Sequence, residues 1–332
     1  MTTAVRTLIA RTLYHSRLIV PLSLAAGYAR RAPAFQILTY HRVNDHHDPF
    51  LEAVTTDVFE RHMAFVARTY RVLPVDELVD RAREGRLPRQ ALAITFDDGY
   101  RDTLTHAAPI LARHGLPATV FLATGFIGTA AVPWFDRVAT ALQLTTVPSL
   151  TAPWGEVVSL ASQADRLRVC DAILRHFKRL PDDELPRSLD VLMDGLGLTD
   201  QKCFKNLMLT WDDVHALAGL GFSIGAHTVY HPVLSRVSRE RAWTEITGSR
   251  RMIESAYGRP PRAFAYPNGG PDDYTDTVRD LVREAGFRCA VTTRFGVNTR
   301  HTSPWELRRG GPWETDVSTF ALKLAAYRAF IR

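Results

Sequence analysis

The sequence predicts an α/β protein: a distorted (β/α) barrel of about seven parallel strands with outer helices and a helical insertion. Three observations predict it. A unit recurs along the chain, in which a short β-branched or aromatic run gives way to polar or Gly residues and then to a helical pattern of apolar positions. The 332 residues suit one α/β barrel or two ordinary domains, and 46% hydrophobic with 23% charged residues is the balance of a globular protein. Unusual polar groups fall where strands end, the rim at which parallel α/β folds gather ligands.

In chain order the strands are "FQILTYH" (35–41), "YRVLPVDEL" (70–78), "LAITFDDG" (92–99), "ATVFLATG" (118–125), "GFSIGAHT" (221–228), "RAFAYPNG" (262–269) and "RCAVTT" (288–293). Helical patterns follow most of them, at 56–69, 101–114, 211–219 and 239–257, the last with Ser238 as N-cap and Gly258 just past its end. Residues 127 to about 207 break the rhythm with "VPWFDRVATAL" and a charged helical stretch from Asp165 to Leu192. They read as an insertion capping one face of a barrel domain that spans 34–325.

Residues 1–33 stand apart. "AVRTLIARTLYHSRLIVPLSLAAGYARRA" sets Arg6, Arg11 and Arg17 against Val5, Leu8, Ile9 and Leu13 at helical spacing, a basic amphipathic helix broken near Pro21. Packing on the domain, peripheral contact with a membrane surface and a targeting role all fit it. The apolar run from Leu18 to Ala29 is too short to span a membrane. A cytoplasmic or membrane-peripheral location is favoured, with secretion left open. The formal charge of +6 is spread over scattered Arg residues rather than one block, so no nucleic-acid partner is expected. Cys170, Cys203 and Cys289 are odd in number and widely spaced, which supports neither a disulfide framework nor a thiolate metal site. Any metal must use His and carboxylate.

Within "ALAITFDDGYRD" (91–102), Asp97 and Asp98 stand side by side where a buried strand leaves the core. Adjacent carboxylates raise each other's pKa unless a cation or shared proton relieves them; an Asp-Gly turn is the plain alternative. "HTVYHP" supplies His227 and His231, a weak signal alone in a chain with twelve histidines. On one rim the two signals reinforce each other. One carboxylate and two imidazoles make three ligands for a borderline-soft divalent ion, and the second carboxylate becomes a base.

These residues resemble the polysaccharide deacetylases of carbohydrate esterase family 4, which share the nodulation-type chitooligosaccharide deacetylase homology domain. "TFDDG" (95–99) resembles the family's first motif and "HTVYH" (227–231) its second. The resemblance implies Asp97 as catalytic base, Asp98, His227 and His231 as ligands of one divalent ion, zinc in particular, and an N-acetylated glycan as substrate. It implies removal of N-acetyl groups from amino sugars of a polysaccharide or lipid-linked glycan. In "FAYPNGG" (264–270) Pro267 and Gly269 match the third motif, which implies an Asn268 backbone N–H toward the oxyanion, but Ala265 stands where the motif has Arg; Tyr266, beside Pro267, is the aromatic favoured as a sugar-stacking platform. Arg309, or else Arg308, in "ELRRGG" is the candidate replacement.

The family's late Leu-x-His is absent. "ILTYHRV" places Leu38 and His41 at the end of the first strand, and in a closed barrel the first and last strands are neighbours. A circularly permuted member could present His41 as the acid that protonates the leaving amine; His301, in a polar loop, is the weaker competitor. Trp134, Trp211, Trp305 and Trp313 read as core rather than sugar platforms. Rival readings are an iron oxygenase built on the same triad, a non-catalytic glycan-binding module, and a hydrolase of another C–N bond such as a formamide or cyclic amide.

Overall fold

The computed structural model describes residues 3–16, 18–21, 25, 33–197, 206–311 and 314–330. Cys203 and Trp313 lie outside them. Strands β1 (Ala34–Tyr40), β3 (Ala91–Phe96), β4 (Thr119–Leu122), β7 (Ser223–Ala226), β8 (Ala263–Ala265) and β9 (Cys289–Val291) lie in that spatial order, all parallel. β2 (Arg71–Val72) pairs with the start of β3, beneath β4. The expected strand at 70–78 is thus cut short at Pro74, which opens helix α3 (Val75–Arg83) with Asp76 and Glu77 in its first turn.

Side chains alternate across the sheet as the strand period demands. Phe35 and Ile37 of β1, Ala91 and Ala93 of β3, Phe121, Ala263, Ala265 and Val291 form the inner core, closed below by Val75, Leu78 and Val79 of α3. Arg262 and Arg288, at the starts of β8 and β9, reach carboxylates of α3, which pins that helix across the N-terminal ends of the strands. Leu38, Tyr40, Ile94, Phe96, Val120 and Ile224 point outward to the helices.

The outer layer contains α2 (Thr56–Thr69), a π turn at Thr103–Ala107 running into α4 (Ala108–Arg113), α8 (Trp211–Gly219), α9 (Arg239–Tyr257) and α10 (Asp276–Glu284). The limits of α9 follow its sequence signals: Ser238 accepts from the Arg241 N–H, and Gly258 takes φ 78°. Beyond the expected set, two elements pack against β1. β10 (Asn298–Thr299) pairs antiparallel with the start of β1, and α11 (Val317–Phe330) covers β1, where Leu324 O accepts from Gln36.

Between β9 and β1 runs an extended segment, 307–310. Leu307 bridges Val291 in parallel, and Gly310 donates its N–H to Ile37 O (3.0 Å). It closes the ring. The insertion carries α5 (Trp134–Leu144), a hairpin of β5 (Ser149–Thr151) and β6 (Val157–Ser159), α6 (Gln163–Phe177) and α7 (Leu185–Gly195) around a small core of its own. The helical stretch expected from 165 to 192 is two helices, because Pro181 ends one path and its carbonyl starts the next by accepting from Glu184 and Leu185. Helix α1 (Thr3–His15) packs on the domain: Ala10 is buried, Tyr14 meets Phe65 at 6.1 Å, and Arg11 pairs with Asp316. Among the described residues no helix is long and apolar enough to cross a membrane.

Candidate metal centre and reaction site

The inward phase of β3 runs Ala91, Ala93, Thr95, Asp97, so Asp97 is the residue that the strand period aims into the mouth of the barrel. Asp98 follows with φ 71° and Gly99 with φ 87°. That pair of left-handed residues turns the chain sharply and brings Asp98 round beside its neighbour rather than across the sheet. Thr228, His231 and Asn268 also have positive φ, 66°, 57° and 58°. Such backbone is costly for a β-branched Thr and persists where the surroundings over-determine it. Four of the seven non-glycine residues with positive φ among the described residues therefore gather at this rim.

Asp98, His227 and His231 are all buried, and one ligand atom from each lies within 4.8 Å of the others. Both Nε2 atoms stand 3.4 Å from Asp98 Oδ1. Ligand atoms about 2.1 Å from an ion at the tetrahedral angle are about 3.4 Å apart, so the spacing is that of a ready coordination sphere. Asp98 Oδ1 has no hydrogen-bond partner despite its burial, an omission that a cation would make good. The Nδ1 of His227 donates to Ala265 O (2.7 Å), which turns its Nε2 lone pair toward Asp98. Phe135 of the insertion lies edge-on to His231, with ring centroids 5.2 Å apart.

Beside this triad, Arg309 forks onto Asp97: Nη1 donates to Oδ1 and Nη2 to Oδ2, both at 2.7 Å. Its Nε donates to Thr292 O (2.9 Å), and the whole side chain is buried. Ala265, on the inward face of β8, has no bulk to obstruct it. Because the closing segment is extended, neighbours alternate in direction. Arg308 faces outward against Gly296 while its backbone is bracketed by Asn298, so of the two candidates Arg309 is the one at the site.

Burial pushes the Asp97 carboxyl up, but the Arg309 guanidinium and His227 outweigh it and hold the group below its ordinary range. Asp98 is likewise held low, burial being overcome by the closeness of the His227, His231 and His41 imidazoles. Burial lowers His231 to about 4, so at neutral pH it carries a lone pair for a metal.

His41 follows β1 directly, and Asp97 N–H donates to Tyr40 O (3.0 Å), so the two strand tips are level. The His41 ring is exposed, and its field reaches Asp97, Asp98 and His231. His301 is elsewhere: β10 pairs with the start of β1, which puts this residue at the opposite end of the barrel. Asn268 O accepts from Thr293, and the Asn268 N–H donates to no protein acceptor among the described residues. Pro267 is buried behind it. Tyr266 is a correction to the sequence reading. It is 0% exposed, stacks on Tyr274 (4.3 Å) and donates to Trp305 O (3.0 Å), so the outward phase of β8 makes it core and leaves it no face for a sugar.

Three further residues support the site. Glu245 of α9, 1% exposed, accepts from both Val229 N–H (2.7 Å) and Tyr230 N–H (2.8 Å), fixing the loop between the two histidines. Its signal in the sequence is a charge on the buried stripe Ala242, Ile246, Ser249, Ile253. Asp136 accepts from Tyr100 OH (2.8 Å), and Asp102 binds the segment after His41. No local spacing signals either.

A parallel barrel with a buried two-His, one-carboxylate cluster and an Arg-held carboxylate on its C-terminal rim defines a hydrolase of the metal-dependent barrel class, and removes the double-sheet oxygenase reading. The chain belongs to the polysaccharide deacetylase family, whose model matches residues 84–290. Over 275 residues it is 20% identical to YxkH of Bacillus subtilis strain 168, which carries a polysaccharide deacetylase name; the match takes in 82% of this chain and 69% of that one. Among solved structures it is similar to the Streptococcus pyogenes deacetylase PplD in complex with acetate, with TM-score 0.60, 18% identity and 89% and 98% of the two chains covered. IcaB from Ammonifex degensii gives 0.59, 19%, 89% and 97%. His41 and Arg309 fall outside the stretch matched by the family model.

Proposed function

We propose that this enzyme removes N-acetyl groups from amino sugars of a polysaccharide or lipid-linked glycan, with Asp97 as base and a divalent ion, zinc by the chemistry of its donors, held by Asp98, His227 and His231. The observation that carries the reading is the unsatisfied, buried Asp98 oxygen equidistant from two imidazoles, next to a carboxylate forked by Arg309. A divalent ion bound there supplies Lewis acidity, which acidifies water and draws charge from an acyl carbonyl.

The residues do the rest. Arg309 keeps Asp97 ionised and fixes both its oxygens, so that the carboxylate meets the attacking water in one orientation and takes its proton. The Asn268 N–H offers a donor to the oxyanion that forms on the former carbonyl. His41, exposed on the neighbouring strand tip, delivers a proton to the departing amine, a task that an imidazole suits because its ring nitrogens can both hold and release one. The C–N bond breaks, leaving acetate and a free amino sugar.

The place of β1 in the ring supports the permuted arrangement: the closing segment 307–310 lies beside it, so an N-terminal strand can present what a C-terminal one presents elsewhere. At the N-terminus, exposed Ile9 and Leu18 near Arg11 are the groups for a peripheral membrane contact, and a cytoplasmic or membrane-peripheral location is part of this reading. The test is acetate release from N-acetylated glucosamine oligomers and polymers by protein stripped of metal and reloaded with zinc. Release with zinc and none without is expected. No acetate from any N-acetylated glycan at full zinc occupancy would overturn the reading.

A further inference from the structure

We propose that Asp102 is a positioning residue that sets His41 against the reaction centre, an inference that rests on the reading of His41 as proton donor. Asp102 lies in the same loop as Asp97 and Asp98 and is 8% exposed. Its Oδ2 accepts two bonds from the segment that begins with His41: Arg42 Nε at 2.9 Å and Asn44 Nδ2 at 2.9 Å. Its Oδ1 is buried with no hydrogen-bond partner, so nothing on the other side of the carboxylate competes for it.

His41 is therefore bracketed. On its N-terminal side Tyr40 O accepts from Asp97 N–H, and on its C-terminal side Arg42 and Asn44 are drawn to Asp102. Both anchors belong to one short loop, which also carries the base and a metal ligand. The distance between base and acid is thereby referred to a single rigid piece, although the acid comes from a different strand. A second tie holds the far side of the segment, where Asn44 N–H donates to Val54 O and Val54 N–H to Arg42 O.

Arg42 is held on a third side as well. Its guanidinium lies 4.9 Å over the ring of Tyr100, whose hydroxyl donates to Asp136 of α5. The insertion is thus connected to the His41 segment through two side chains.

Stability alone does not explain this arrangement. The Arg42 and Asp102 side chains are 12% and 8% exposed, and a pair so nearly buried gives up hydration that its mutual attraction only partly restores. An apolar pair would hold the loop as well. What the ion pair adds is direction, which matters for an exposed imidazole on a strand end: displacement of a reacting group by about 1 Å can cost a hundredfold in rate.

The test is a double-mutant cycle on the zinc-loaded full chain with an N-acetylated glucosamine oligomer, comparing Asp102→Asn, His41→Ala and the double variant. Asp102→Asn is expected to retain its zinc and lower kcat by about ten- to a hundredfold with KM little changed. In the His41→Ala background the same change should cost less than about twofold, since a positioning residue has nothing left to position. Arg42→Met, which keeps the carboxylate and removes its donor, should repeat the pattern and serves if Asp102→Asn fails to fold. Equal losses in both backgrounds, or wild-type kcat in Asp102→Asn and Arg42→Met, would overturn the proposal. Full activity in His41→Ala would overturn it together with the proton-donor reading, while leaving the assignments of Asp97 and the metal ligands standing.

Discussion

Two adjacent aspartates with the same chemistry are aimed at different partners by one backbone angle. Asp97 keeps the inward strand phase and meets Arg309; Asp98, at φ 71°, is swung onto the histidines. Asp97→Asn should therefore keep its zinc and lose roughly two to four orders of magnitude in kcat, as loss of a general base does, whereas Asp98→Asn should lose metal first. Elemental analysis beside acetate release separates the two, and equal metal loss would refute the division. Arg309→Lys should lower kcat by at least about tenfold with zinc retained, because a single ammonium cannot fork both oxygens of Asp97. Wild-type kcat in that variant would show that orientation of the base is not its task. At this scale the sequence shows what is contiguous. "TFDDG" and "HTVYH" are visible as strings, and the alternation of an extended segment narrows Arg308 and Arg309 to one. Tyr266 misleads because its strand contributes the opposite phase from the one a sugar platform needs. Asp102 is invisible because its partners lie 58 and 60 residues away.

Elements were legible wherever a local rule fixes them and obscure where tertiary contacts do. α9 declares both ends through Ser238 and Gly258, and β3 through its apolar run. β2 keeps only two residues of the strand expected at 70–78, and the insertion hairpin has three residues per strand and exists through its pairing, which no local pattern announces. The polar residues of α11, Ser318, Thr319, Lys323 and Arg328, are spread around its sequence rather than on one face, so it has no amphipathic signature to find. α9 also shows how an element serves a site it does not enter: Glu245 holds two loop amides between His227 and His231. Glu245→Gln should keep the helix and weaken zinc binding by about ten- to a hundredfold, the usual effect of disturbing a ligand's support. Competition with a zinc chelator measures it; unchanged affinity would leave Glu245 a merely structural acid.

For the whole molecule, one weak point in acid, besides the buried His231, is the packing of α2 and α11 against β1. His62 is 0% exposed, stacks at 3.8 Å on Phe320, and contacts Tyr40 OH and Glu314 O. Burial pulls its pKa from 6.5 down to about 4. Between those values the unfolded chain takes up a proton that the folded chain refuses, so stability is lost as pH falls through that window, by about 3 kcal/mol from this group. Asp136 acts in the opposite sense, since burial raises its carboxyl to about 7 and the folded state keeps a proton that the unfolded state releases. The comparison that isolates the ring is metal-free wild type against His62→Phe: the variant should lose less stability between pH 7 and 4 by denaturant titration. Parallel curves would show that His62 does not control acid sensitivity.

The closing of the ring by residues 307–310 also has a meaning in time. The partner of Asp97 lies 212 residues further along the chain. A ribosome adding about 5–20 residues per second needs roughly ten to forty seconds to make that stretch. Throughout that interval the growing polypeptide already contains Asp97 and Asp98 and comes to contain both histidines, but it has no guanidinium to fork Asp97 and no seam beside β1. Messages cut short, or chains clipped before Arg309, should yield products that collect zinc yet turn over little glycan. On the proposed roles, catalysis waits until Arg309 has been made.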